Sequence, residues 1–153
     1  MGAGGDRLAP MRRVLLLLVL AGWMLSSCGG GASARRGDEL CALLDATVQE
    51  RVNLAIADVL PGASLDASIP STDSCDQRFV TVDGATIDLE IKDVSEHSGT
   101  ILRDAGNGLA TDGVGATSVV LDGGTVVIVA TSSDPASISA WDASLAAATA
   151  LRG

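Results

Sequence analysis

Residues 85–93 read Ala-Thr-Ile-Asp-Leu-Glu-Ile-Lys-Asp, with Ile87, Leu89 and Ile91 alternating with Asp88, Glu90 and Lys92. Side chains of a strand point to opposite faces with period two, so this segment has one dry face and one wet face. Cys75–Val82 precedes it, and Asp83-Gly84 between the two segments is a hairpin turn signal. A two-residue turn there sets Val82 opposite Ala85 and Val80 opposite Ile87. An antiparallel hairpin with one buried face must pack on something else, so the chain needs a second layer.

That layer comes from two helical patterns. Over Asp38–Leu60, Cys41, Leu44, Val48, Val52, Ile56 and Val59 recur at steps of three and four, which predicts one helix with a buried stripe. Asp38 is its expected N-cap, and Pro61-Gly62 ends it. Asp45, Gln49, Glu50, Asn53 and Asp58 fall on the opposite, solvated face. Near the C-terminus, Asp134 caps and Pro135 opens a second helix, with Ile138, Trp141, Leu145 and Ala148 on its core face.

Between them, Gly62–Asp73 reads as loop and Glu96–Ala105 as a short helix. Ala116–Leu121 and Thr125–Thr131 form a second hairpin about Asp122-Gly123-Gly124. The uninterrupted apolar run Val126–Ala130 suits a strand covered on both faces. The expected fold is α+β: an antiparallel sheet built from two hairpins, with the N- and C-terminal helices packed on one side.

The first thirty residues carry a different message. Arg12-Arg13 precedes Val14–Leu25, an uncharged run of 12 residues. As a helix it spans about 18 Å, short of a ~30 Å hydrocarbon core but right for the apolar part of an export signal. It ends in Leu25-Ser26-Ser27-Cys28, followed by Gly29-Gly30-Gly31. This has the form of a bacterial lipobox: a thiol to take a diacylglyceryl group, with small residues before it to enter a signal peptidase. The alternative is an ordinary secretory signal with an incidental Cys28. Met1–Pro10 is Gly-rich and carries Asp6, whereas Met11-Arg12-Arg13 makes a tighter beginning, so Met11 is the expected start, with a longer basic region from Met1 as the alternative. The division is then a signal over 1–27, acylated Cys28 with a flexible tether to Gly37, and one globular domain over 38–153. Arg35 and Arg36 of the tether face either anionic head groups or solvent.

Export bears on the other thiols. Cys41 and Cys75 are the remaining pair of three cysteines, and an even pair in an oxidising compartment reads as a disulfide. Two thiolates and one distant His97 make a poor zinc set, and the spacing lacks the Cys-x-x-Cys of a redox dithiol.

Composition narrows the chemistry. After Cys28 there are 7 basic and 18 acidic side chains, a net of −11. Phosphate neutralisation needs a basic face, which argues against nucleic acid as a partner. With no Tyr and one Phe, aromatic stacking platforms are nearly excluded. His97 is the sole imidazole, in Ser-Glu-His-Ser-Gly, and no Gly-x-Ser-x-Gly elbow accompanies it. Asp66, Asp73 and Asp76 lack the calcium-loop pattern, and Gly106-Asn107-Gly108 lacks the third glycine of a dinucleotide fingerprint. Asp88 and Glu90 read as a solvated strand face. No catalytic, metal or cofactor residue is assigned. Lys occurs once and Arg nine times amid abundant Ala and Gly, a GC-rich codon signature.

The layout resembles the small lipoproteins of actinobacteria grouped as a family of unknown function. The residues that carry this are the lipobox, Cys41-Ala42-Leu43-Leu44 at the first helix, Cys75 near a strand start, Gly113-Val114-Gly115-Ala116 before a strand, and an Ala-rich closing helix. The likeness covers about Asp38–Arg152. It departs at Cys75, where an aromatic usually follows closely and here Phe79 is four residues on. The resemblance implies location and fold, with no catalytic residues. The expected role is a non-enzymatic binding or accessory module on the outer face of the cytoplasmic membrane, held through acyl chains on Cys28, with an envelope protein or lipid as partner. The alternative is a carrier of a hydrophobic ligand in a cavity between sheet and helices.

Overall fold

The computed structural model describes residues 34–99 and 103–153. The signal, Met11, Cys28 and the tether up to Ser33 lie outside the described residues. The architecture is α+β, with a seven-stranded antiparallel sheet flanked by helices. The elements are α1 (Gly37–Ala42), α2 (Ala46–Val59), β1 (Ser64–Pro70), β2 (Ser74–Val80), β3 (Thr86–Asp93), a 3-10 turn (Val94–Glu96), β4 (Arg103–Gly106), β5 (Leu109–Thr111), β6 (Ala116–Leu121), β7 (Gly124–Ser132) and α3 (Ala140–Arg152).

Strand order is β1-β2-β3-β7-β6-β5-β4. This corrects the expectation of a sheet built from two hairpins. Both hairpins exist, as β2–β3 and β6–β7, but each is part of a longer meander, and the meanders join where β3 pairs with β7. Gly62–Asp73, expected as loop, contains β1. Glu96–Ala105, expected as helix, begins at the end of the 3-10 turn and runs into β4; Ile101 and Leu102 fall outside the described residues.

The register of the first hairpin also differs from expectation. Phe79 opposes Ile87 and Val80 opposes Thr86, one residue off. The turn is longer than two residues: Thr81 N donates to Ala85 O at 2.9 Å, Gly84 has φ +88°, and Thr81 Oγ1 accepts from Ala85 N at 3.0 Å. Three residues, Val82-Asp83-Gly84, therefore close it, in the pattern of a turn followed by a glycine bulge. The slip decides which β2 side chains are buried. Cys75, Gln77 and Phe79 share the face of Ile91, Leu89 and Ile87, and all are buried.

Register fixes the helices to that same face. Ile91 and Leu89 oppose Ile128 and Ala130 of β7, and Ile128 opposes Thr117 of β6. From above, Cys41 of α1 is disulfide-bonded to Cys75, Gln49 of α2 accepts from Gln77 Nε2 at 2.6 Å, and Ser144 of α3 shares a 2.8 Å hydrogen bond with Thr117. Gln49, expected on the solvated face, instead accepts from a buried strand amide whose other acceptor, Ser68 Oγ, lies at 3.3 Å. Leu40, Val52, Ile56, Phe79, Leu89 and Ile128 fill the space between the layers.

The expected single N-terminal helix is two. Asp45 Oδ1 accepts from Thr47 N and Val48 N, each at 2.9 Å, and so caps a new helix inside the apolar stripe. The expected cap Asp38 lies within α1, whose N-cap is Arg36. At the other end, Asp134 accepts from Ala136 N at 3.2 Å but caps only one turn, and α3 starts later, at Ala140, with Ser139 as its N-cap. Its buried face is Ala143, Ser144, Ala147, Ala148 and Leu151; Trp141, expected in the core, is 40% exposed. On β7, Val126, Val127 and Ile128 are all fully buried, matching a strand covered on both faces.

Candidate functional site

The face of the sheet away from the helices is polar on its β2–β3 half. Asp76, Arg78, Asp88, Glu90 and Lys92 alternate there with the buried residues. With Asp66, Ala67 and Ile69 of β1 and Val129 and Thr131 of β7, this surface lines a concavity of about 460 Å³. Arg78 and Asp88 are directly opposed across β2 and β3 and pair bidentately, Nε to Oδ1 at 2.6 Å and Nη2 to Oδ2 at 3.2 Å. That hydrogen bond to Asp88, together with its charge, raises the Arg78 pKa. Glu90 pairs with Lys92 at 2.8 Å. Exposed pairs such as Arg78–Asp88 contribute little to stability. They fix side-chain positions on an open, charged floor.

Other candidate residues are dispersed. Asp66 and Asp76 sit on adjacent strands and Asp73 in the turn between β1 and β2. Asp76 Oδ1 accepts from Ser74 Oγ at 2.8 Å. Among the described residues no group of three or more His, Cys, Asp or Glu side chains could hold a metal ion. His97 follows the 3-10 turn; burial opposes ionisation of Asp112, and the backbone N–H groups of Ala116, Val114 and Gly115, with His97 a lesser contributor, lower its pKa. Asp112 Oδ1 is already committed to the N–H groups of Val114, Gly115 and Ala116, at 2.8–2.9 Å. Its role is to hold the β5–β6 turn. Sequence reasoning missed this carboxylate; the signal was an Asp at the head of the Gly113-Val114-Gly115 stretch.

The Cys41–Cys75 disulfide is present, with Cα atoms 5.0 Å apart. Arg35, read as tether, is part of the folded end of the chain: its side chain is 15% exposed and its Nε lies 3.4 Å from Asp93 Oδ2. It is therefore held against the end of β3 and is not a free cation on a tether. Arg36 is exposed beside Asp38. A second concavity, about 530 Å³, runs along the outer side of α2 and α3, lined by Leu54, Val59, Leu145 and Ala146 among others. These two hollows open away from the packed interface between sheet and helices, the place the alternative reading gives to a hydrophobic ligand. No described helix is long and apolar enough to cross a membrane. No protein-family model, curated protein or solved structure matches the chain.

Proposed function

We propose that this chain is an exported lipoprotein, cut before Cys28, acylated there, and held on the outer face of the cytoplasmic membrane. The observation that carries this is Leu25-Ser26-Ser27-Cys28 at the end of an uncharged run that follows Arg12-Arg13. The Cys41–Cys75 disulfide supports it, since such bonds persist in oxidising compartments. The resemblance to small actinobacterial lipoproteins points the same way. Two or more acyl chains give stable anchoring, where one gives only marginal binding.

In this reading the domain is a non-enzymatic binding or accessory module for an envelope protein or lipid. The surface it offers is the concavity on the polar sheet face, with Arg78 and Asp88 locked on its floor. Fractionation tests the anchor. The native chain should partition with membranes and the Cys28→Ala variant should leave them. A variant that stays membrane-bound to the same extent would contradict the proposal.

A further inference from the structure

We infer that Arg35 and Gly37 fix where the lipid tether leaves the fold, so that one end of the sheet faces the bilayer and the other points away. The inference rests on acylation at Cys28. Gly37 is buried against the β1–β2 turn, and its N–H points to Thr72 O at 3.4 Å. Any side chain there would collide with the carbonyl oxygens of Ser71 and Ser74. Two residues earlier, the enclosed Arg35 pairs with Asp93 at the end of β3 and lies over the β6–β7 turn. A Cβ on Gly124 would come within 2.8 Å of its Nη2. Asp93 opposes Val126, and Ser74 opposes Lys92, so the β1–β2 turn, the end of β3 and the β6–β7 turn share one end of the sheet.

Six residues, Gly29–Ala34, separate Cys28 from Arg35, and they span roughly 20 Å at most. The near end therefore stays within ~20 Å of the head groups. The eight residues of β3 carry the far end about 25 Å further. Charge sets the direction: 7 basic against 18 acidic side chains after Cys28 drive the body away from anionic lipid. The surface that meets the bilayer is the turn residues Ser71–Asp73 and Asp122–Gly124. The β5–β6 turn lies at the outward end.

Trp141 reports the outward end. It is the one tryptophan after Cys28, it is 40% exposed, and neighbouring Ala140 packs against Gly115 of the β5–β6 turn. The acylated protein, purified from host membranes, is reconstituted in vesicles carrying dansyl head groups, and energy transfer from tryptophan is read. Trp141 should transfer weakly. A Trp141→Phe, Asp122→Trp variant should transfer at least about threefold more, given ~20 Å against ~45 Å of reach. A Trp141→Phe, Asp73→Trp variant repeats the near-end reading should Asp122→Trp disturb its turn. Adding Arg35→Ala should narrow the contrast by lengthening the tether. Equal transfer from both ends overturns the inference. Acylation is separated from orientation by coupling the chain from Cys28 onward to maleimide lipid through that thiol, the other two cysteines being bonded to each other. Equal transfer in that preparation overturns the inference whatever the state of Cys28 in the cell.

Discussion

At the scale of single residues, Asp112 shows how a carboxylate organises a turn that has no side-chain bulk of its own. Burial opposes its ionisation. The N–H groups of Ala116, Val114 and Gly115, with the nearby His97, outweigh that and lower its pKa. A carboxyl lowered on folding stabilises the native state above its unfolded pKa, near 3.9, and loses that contribution as pH falls through the lower folded value. Asp112→Ala should cost about 1–3 kcal/mol at neutral pH, because three backbone donors lose a charged acceptor. Asp112→Asn keeps an acceptor but no charge, so its stability should fall less steeply between about pH 5 and pH 3. Urea unfolding at both pH values checks this; parallel loss in the Asp112→Asn variant and the native protein would contradict it. Gly37→Ala is predicted to cost ~1–3 kcal/mol, the usual range for overpacking, since the Ser71 and Ser74 carbonyls occupy the site of its methyl. Asp112 left a faint signal, an Asp at the head of Gly113-Val114-Gly115, whereas Gly37, between Arg36 and Asp38, left none. Asp112 is held by the backbone of its own turn, but what constrains Gly37 is backbone from elsewhere in the fold, the Ser71 and Ser74 carbonyls.

At the scale of elements, periodicity identified α2, β2, β3 and α3, whose faces differ, while the Asp122-Gly123-Gly124 turn signal and an unbroken apolar run identified β6 and β7. Periodicity failed where a local hydrogen bond interrupts a continuing pattern. Asp45 caps α2 within a stripe that looks unbroken, and Asp45→Ala should cost about 1 kcal/mol. The β2–β3 turn failed differently. Asp83-Gly84 marks a turn but not its length, and the side-chain bonds of Thr81 add a residue. Gly84→Ala, at φ +88°, should destabilise by ~1 kcal/mol or more. The disulfide was legible once Cys28 was set aside for the lipobox and the remaining even pair was read in an oxidising compartment. The sequence placed Cys41 on one long helix, while the structure places it on the short α1, so the bond joins α1 to β2 across the layers. The Cys41→Ser, Cys75→Ser double variant should lose about 2–4 kcal/mol, read from its denaturation midpoint. An unchanged midpoint would show that α1 docks without the bond.

At the scale of the molecule, the central junction of the sheet joins residues 87–93 to 126–132. No local pattern announces a pairing across that separation, which explains why two hairpins were legible and one continuous sheet was not. The edge strands were missed for a related reason. β1 is mostly exposed, carries a register shift between Leu65 and Ala67, and ends at Pro70; β4 has four residues and a shift of its own. Bulges, proline and shortness protect open sheet edges from pairing with other chains, and they erase the alternation a reader looks for. The candidate surface inherits the same limit: its charges were visible, but its concavity depends on β1 and β7 flanking β2 and β3.

The central claim is that the chain is anchored by lipid at Cys28, and it is tested most directly by the mass of the N-terminal peptide of protein taken from membranes of an acylating bacterial host. The account predicts a peptide that begins at Cys28 and carries a diacylglyceryl group, with or without a further acyl chain on its amine. A signal still attached, a cut at another bond, or an unmodified Cys28 would contradict it.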